Sequence, residues 1–120
     1  MATILVVEDD PISQRVLIYR LTREGHAVIP AGNGREALAR LSETWVDLVI
    51  TDLAMPEMDG LTLLKHLRAD VRFRALPIVV LTASGQDEDR RIAWAEGASE
   101  VLAKPTGSRD LLGVINALLS

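Results

Sequence analysis

The sequence predicts an α/β fold in which helices cover both faces of a parallel, doubly wound sheet. Two observations point to this fold class. Short apolar runs alternate with amphipathic stretches along all 120 residues, which is the pattern of repeated strand–helix units. The apolar runs are apolar at consecutive positions rather than at every second one, as in strands buried on both faces. Hydrophobic residues make up 48% of the chain, enough for a core on each side of the sheet.

Five strands and five helices follow one another in this pattern. Asp10 before Pro11 is typical of a helix N-cap followed by a first-turn proline. Asn33 and Asp59 precede two further helices, and Gly25 ends the first one. The predicted strands β1–β5 cover residues 3–7, 27–29, 48–51, 78–82 and 101–103. The predicted helices α1–α5 cover residues 11–24, 35–42, 60–67, 86–96 and 109–119.

Length, charge and composition limit the classes of protein that this sequence fits. The 120 residues suit one domain, 1–120, without a second effector domain. The absence of cysteine excludes disulfides and cysteine-bound zinc, and a net charge of −4 gives no basic footprint for nucleic acid. The apolar runs fall short of the ~20 residues of a membrane helix, and no export leader is visible. We therefore expect a cytoplasmic protein without membrane insertion or direct nucleic-acid contact.

Polar side chains follow four of the predicted strands at the point where each strand ends. Glu8 and Asp9 follow β1, Asp52 follows β3, Thr82 ends β4, and Lys104 follows β5. The carboxyl ends of parallel strands meet at one edge of a sheet, where ligands of such folds bind. Acids, a hydroxyl and a lysine together indicate a metal-assisted phosphoryl site. Each residue also has a purely structural alternative. Glu8 and Asp9 could form a solvated acidic loop, the Thr82 hydroxyl could close a turn, and Lys104 could be a surface charge.

Four further polar residues receive structural interpretations. Asp10 is better explained as a helix cap than as a metal ligand, because Pro11 follows it directly. Asp59 is interpreted in the same way. His26 and His66 have no matched metal ligand or nucleophile in the sequence. We therefore expect both histidines to be structural or exposed to solvent.

The chain resembles the phospho-acceptor receiver domains of two-component response regulators. The matching stretches are residues 4–11, 51–60, 81–83 and 104–105, in the family's order and spacing. The resemblance covers nearly the whole chain. It implies a flavodoxin-like (βα)5 sheet with the strand order 2-1-3-4-5.

The resemblance also assigns roles to the polar residues at the strand ends. Asp52 is similar to the aspartate that accepts a phosphoryl group from histidine. Thr82 and Lys104 would bind the phosphate. The implied Mg²⁺ ligands are Asp9, Asp52, the backbone carbonyl of Ala54 and, through water, Glu8.

The function implied is Mg²⁺-dependent phosphorelay signalling that changes the α4-β5-α5 surface. The phosphoryl donor would be a histidine kinase or a histidine phosphotransfer protein, and a downstream protein would read the changed surface. The resemblance also allows a homodimer through α4-β5-α5. We expect no enzyme activity beyond the protein's own phosphorylation and dephosphorylation. The opening of the chain is reminiscent of receivers fused to hybrid histidine kinases.

The chain departs from the family at the switch. Most receivers have an aromatic residue three positions before the lysine, where this chain has Val101, and Thr106 replaces a common phenylalanine. Trp94 stands on the neighbouring helix α4, and we expect it to lie partly exposed and to supply output surface. The alternative is that Trp94 simply packs on Val101 or Ala103.

Two other classes of function compete with the signalling receiver. A pure docking module that no longer signals by phosphorylation is kept open by Val101, although the intact acids, Thr82 and Lys104 argue against it. A small enzyme on the same fold is the third hypothesis. A flavin carrier needs a glycine- and hydroxyl-rich phosphate loop after β1, whereas residues 8–10 are acidic. An aspartyl-phosphate phosphatase usually has a second acid two residues after its nucleophile, where this chain has Ala54.

Overall fold

The protein is a five-stranded parallel sheet with the order β2-β1-β3-β4-β5. The computed structural model describes residues 2–53, 58–82, 87–104 and 108–120. The strands are β1 Thr3–Val7, β2 Ala27–Ala31, β3 Leu48–Asp52, β4 Ile78–Thr82 and β5 Glu100–Ala103. The helices are α1 Pro11–Arg23, α2 Gly34–Glu43, α3 Gly60–Ala69, α4 Asp87–Ala95 and α5 Ser108–Leu119. The predicted fold class and strand order are confirmed.

The helix starts follow from side-chain caps. The carboxylate of Asp10 accepts from the backbone N–H of Ser13, and the side chains of Asn33 and Asp59 do the same at α2 and α3. Each cap satisfies a backbone donor that a helix leaves unpaired at its first turn. The cap interpretation of Asp10 and Asp59 is therefore confirmed.

Most predicted bounds agree with the structure to within one or two residues, and two differences are of another kind. β2 continues through Pro30 to Ala31. Proline is tolerated there because β2 is an edge strand that pairs with β1 alone among the described strands, so a missing N–H on its other side costs no ladder bond. A short 3₁₀ helix, Val71–Phe73, follows α3 and was not predicted.

The core lies in two layers, one on each face of the sheet. Leu5 and Val7 of β1 point toward α2, α3 and α4, whereas Ile4 and Val6 point toward α1 and α5. This alternation follows from the two-residue period of a strand. Both faces are buried, which explains why the strands are apolar at every position. Within the described ranges, no helix combines the length and apolarity that crossing a bilayer requires.

Candidate functional site

The ends of four strands come together at one edge of the sheet, which we call the carboxyl edge. In the register of the sheet, Val7 pairs with Thr51, Asp52 with Leu81, and Thr82 with Ala103. The residues that end or follow β1, β3, β4 and β5 are therefore neighbours. The structure brings together Glu8, Asp9, Asp52, Thr82 and Lys104, as the sequence predicts. Ala54 lies outside the described residues.

Three carboxylates at this edge face one another. Glu8, Asp9 and Asp52 each offer an oxygen within 4.8 Å of the others. The Glu8 side chain is 2% exposed and that of Asp52 13% exposed, while Asp9 is open to solvent. At this separation two like charges repel by about 3.5 kcal/mol at an effective dielectric of 20. Clustered carboxylate oxygens are the ligands that Mg²⁺ prefers, so the donor set fits this ion.

One ammonium group is inserted among these acids. Lys104 Nζ lies 2.6 Å from Glu8 Oε1 and 3.0 Å from Asp52 Oδ1. Burial favours a lower pKa for Lys104, but hydrogen bonds to Glu8 and Asp52 and the attraction of both carboxylates outweigh it. The pKa of Lys104 consequently lies above its ordinary value. The four side chains still carry a surplus of two negative charges, which a divalent cation would balance.

Glu8 is held more tightly than its neighbour Asp9. Its second oxygen, Oε2, accepts from the backbone N–H of Asp10 at 3.3 Å. Asp10 is not one of the three clustered acids, and its Oδ2 accepts from the hydroxyl and the N–H of Ser13. The bonds from the Ser13 hydroxyl and N–H hold the pKa of Asp10 below its usual range. Glu8 therefore forms a direct ion pair with Lys104 in this structure. The sequence did not reveal this contact.

The backbone around Asp52 is fixed by a glycine. A side-chain carbon on Gly60 would overlap the carbonyl oxygen of Asp52, so only glycine fits at the start of α3. The Gly60 N–H donates to the carbonyl of Leu53 at 2.8 Å. The hydroxyl of Thr51 donates to the same Asp52 carbonyl at 3.0 Å. The Asp52 carbonyl is therefore held between the start of α3 and the Thr51 hydroxyl.

The residues of the expected switch lie on β5 and α4. Val101 is buried among the core side chains below α4. Trp94 is 47% exposed near the end of α4, so the prediction of a partly exposed Trp94 is confirmed. Its part in signalling stays a prediction. Of the two histidines, His26 accepts from the N–H of Ala2 through Nδ1 at 3.2 Å, and His66 is exposed, as expected.

Sequence reasoning missed an apolar groove on the other face of the sheet. Ile12, Val16 and Tyr19 of α1 are exposed, and with Leu112 of α5 they line a groove of about 620 Å³. The signal was present in the sequence, because positions 12, 16 and 19 share one face of a helix. The groove is also lined by the basic side chains of Arg15, Arg20 and Arg23. Glu24 also lines the groove, so its charged lining consists of three arginines and one glutamate.

The comparisons with known proteins agree with this geometry. The chain matches the response regulator receiver domain model over residues 4–116, and it belongs to this family. It is therefore a receiver domain of two-component signalling. PilH from Pseudomonas aeruginosa is 33% identical over 120 residues, covering 100% of this chain and 99% of that protein.

Two solved structures show how closely the fold is shared. The receiver domain of a signal transduction histidine kinase from Syntrophus aciditrophicus superposes with a TM-score of 0.93 at 34% identity, covering 99% of this chain and 90% of that one. The receiver domain of a sensor histidine kinase from Pseudomonas aeruginosa superposes with a TM-score of 0.91 at 29% identity, covering 98% and 97%. That structure has a magnesium ion coordinated in its active-site cleft.

Proposed function

We propose that this receiver accepts a phosphoryl group from a phosphohistidine onto Asp52, with Mg²⁺ as cofactor. One observation carries the proposal. The Asp52 carboxylate lies 3.0 Å from Lys104 Nζ and within 4.8 Å of the carboxylate oxygens of Glu8 and Asp9. It is thus the carboxylate placed between an ammonium group and a cation-binding cluster. Membership of the receiver family supports the same assignment.

The step is a phosphoryl transfer between two side chains. An oxygen of Asp52 forms a bond to phosphorus, the bond from phosphorus to the histidine nitrogen breaks, and its electron pair returns to the imidazole. Bound Mg²⁺ would supply positive charge against the carboxylates and the phosphoryl oxygens. Asp9 and Asp52 would hold it directly and Glu8 through water, with Ala54 as the expected backbone ligand. Since such transfers depend mainly on positioning and charge, this small set of groups suffices.

Lys104 exchanges one partner during the transfer. It leaves Asp52 Oδ1 and pairs with a phosphoryl oxygen, while its 2.6 Å contact with Glu8 keeps the ammonium group at the site. Thr82, buried at the end of β4, would bind another phosphoryl oxygen. The phosphate adds about −1.5 to −2 charges. We infer that this charge shifts Thr82 and α4, and that a downstream protein reads the changed α4-β5-α5 surface in the cytoplasm. Hydrolysis of the phosphoaspartate by water resets the domain.

We place the phosphoryl donor on the groove of α1 and α5. Ile12 and Val16 stand in the first two turns of α1, the helix that begins two residues after Asp9. A helix of a histidine kinase or phosphotransfer protein seated there would face the carboxyl edge. The arginines of the groove would attract an acidic donor surface and speed its docking.

Labelling by a small acyl phosphate tests the acceptor. Wild-type protein with Mg²⁺ should gain the mass of one phosphate, and the Asp52→Asn variant should gain none. Omission of the metal should abolish the gain. The matched control is Asp47→Asn, which removes a carboxylate from the opposite edge of the sheet and should label normally. Undiminished labelling of Asp52→Asn would exclude the assignment, and an unlabelled wild type would favour the docking module.

A charge placed in the groove tests the donor surface. With any histidine kinase that labels the wild type, Val16→Asp should slow phosphotransfer while acyl phosphate labelling is retained. The control is Val71→Asp, since Val71 is an equally apolar, 75% exposed side chain on the 3₁₀ helix. Equal transfer to both variants would rule out docking on this groove.

A further inference from the structure

The first residue of α2 contacts the segment that follows Asp52 in the chain. Gly34 is buried, and its N–H donates to the backbone carbonyl of Met58 at 2.8 Å. Met58 also packs its side chain on the core layer below α2, α3 and α4. The start of α2 thus supports the connection between β3 and α3 from outside that connection.

Only glycine fits at this contact. A Cβ atom on Gly34 would lie 2.7 Å from Met58 O, 2.7 Å from Met58 Cγ and 3.0 Å from Met58 Cβ. Among the described glycines, positive φ angles occur only at Gly25 and Gly97, so the backbone of Gly34 itself suits any residue. The restriction at Gly34 is therefore space, and part of it comes from a backbone atom that cannot rotate away.

A second glycine contact connects Met58 to the acceptor. Gly60, two residues further on, touches the Asp52 carbonyl so closely that a side-chain carbon would overlap it. Its N–H also donates to the Leu53 carbonyl at 2.8 Å. Close-packed interiors transmit a displacement rather than absorb it. A shift of Met58 would consequently reach the backbone of Asp52 through Gly60.

We propose that Gly34 is a positioning residue for the phosphorylation of Asp52. This inference rests on the proposed function of the site. Without a side chain, Gly34 lets the segment from Met58 to Gly60 hold the Asp52 carboxylate against Lys104 and beside Asp9. With an added methyl group, Met58 must retreat by about 0.7 Å to reach an ordinary contact distance of 3.4 Å. Misplacements of this order matter in reactions that depend on alignment.

The test is the labelling rate of Gly34→Ala with acyl phosphate at saturating Mg²⁺, well below the melting temperature. We expect the rate to fall by about tenfold. Gly113→Ala is the matched control, because nothing lies within 4 Å of a Cβ atom at that helical glycine. Leu41→Ala, a core truncation in α2 seven residues after Gly34, lowers stability and should label at the wild-type rate. A wild-type rate in Gly34→Ala, or an equal loss in Leu41→Ala, overturns the proposal.

Two further measurements test the proposal if Gly34→Ala does not fold or if the proposed function fails. If Gly34→Ala does not fold, the double variant Gly34→Ala, Met58→Ala removes the overlap with Met58 Cγ but keeps the close contacts with Met58 O and Met58 Cβ. Slow labelling of that double variant supports the proposal, and a wild-type rate overturns it. If the wild type is not labelled at all, the proposed function fails, but the backbone amide signals of Leu53 and Gly60 still report position. They should shift in Gly34→Ala and not in Leu41→Ala, and unshifted signals overturn the inference.

Discussion

The two edges of the sheet carry polar side chains that are used in different ways. At the amino edge, where the strands begin, Asp47 Oδ2 accepts from the N–H of Thr3 at 2.8 Å and His26 Nδ1 accepts from the N–H of Ala2. At the carboxyl edge, Glu8 and Asp52 face Lys104. At the amino edge, side chains accept hydrogen bonds from backbone N–H groups, whereas at the carboxyl edge charged side chains lie beside one another.

The difference shows which observation identifies a functional edge. A cavity of about 330 Å³ also lies at the amino edge, lined in part by His26 and Asp47, so neither polarity nor concavity separates the two edges. The distinguishing feature is unbalanced charge. At the carboxyl edge, three clustered carboxylates lie beside one ammonium group. At the amino edge, the described carboxylate and imidazole each accept a hydrogen bond from a backbone N–H group. Uncompensated charge costs stability unless a ligand balances it.

Removal of the ammonium group should have the largest effect on this contrast. Lys104→Met leaves Glu8, which is buried, and Asp52 without a cation, and we expect a loss of about 3 kcal/mol in the free energy of unfolding at neutral pH. Urea unfolding measures it. The control is Lys65→Met, which changes the only other lysine of the sequence, an exposed one, and should alter stability by less than about 0.5 kcal/mol. Equal stabilities would mean that the carboxyl edge is not strained by charge.

With the same pair of variants, we expect the free energy of unfolding to depend on pH in the alkaline range. Because the folded-state pKa of Lys104 is raised, its stabilising contribution is fully present below the ordinary value of 10.5 and is lost as pH rises through the folded pKa. Wild-type protein and Lys65→Met should both lose stability in that window. Lys104→Met should lack this part of the loss, and a full loss in that variant would contradict the prediction.

Metal should stabilise through one edge only. At ten times its dissociation constant, Mg²⁺ should add about 1.4 kcal/mol to the free energy of unfolding. A thermal melt follows this as a rise in melting temperature. Asp9→Asn should remove most of the rise and Asp47→Asn none of it. A melting temperature that ignores tens of millimolar Mg²⁺ would count heavily against the carboxyl-edge cluster as a metal site.

The sequence was sufficient to predict the features that depend on local chemistry. The caps at Asp10, Asn33 and Asp59 are encoded within four residues of chain, and the buried strands within five, so both were predictable. The edge of the sheet at which Asp52 and Lys104 lie also follows from parallel strands. The strand order needed the family resemblance.

Contacts between distant parts of the chain were beyond the sequence. The pairing of Lys104 with Glu8 joins residues 96 positions apart, and no local pattern distinguishes it from a pairing with Asp9. The support of Met58 by Gly34 depends on how closely α2 approaches the connection after β3. Both contacts depend on differences of a few tenths of an ångström in how closely the elements pack, and the periodicity of the sequence does not encode such differences.

A smaller effect is expected at the amino edge. Asp47→Ala leaves the N–H of Thr3 without its acceptor, and we expect a loss of about 1 kcal/mol in the free energy of unfolding. Labelling of Asp52 and stabilisation by Mg²⁺ should be unchanged. If Asp47→Ala impaired either, the two edges would be coupled and the contrast between them would fail.

The smallest expected effect is spectroscopic and concerns α4, which is the first helix after Thr82. Val101 is buried and has a short branched side chain, so it cannot alternate between buried and exposed positions as an aromatic ring would. A shift of Thr82 toward the phosphate would therefore act on α4, where Trp94 is the largest partly exposed apolar side chain.

We expect the emission of Trp94 to change on phosphorylation or on binding of beryllium fluoride, measured in a Trp45→Phe background. Trp45 lies between α2 and β3 and is 67% exposed, so the reverse variant, Trp94→Phe, should show no response. Aromatic anchors often dominate partner interfaces, so the same movement would change what a partner meets on α4. If the emission of Trp94 ignores both reagents while Asp52 is labelled, phosphorylation does not reach α4. That result would favour the docking-module hypothesis for the α4-β5-α5 surface, because phosphorylation at the carboxyl edge would not change that surface.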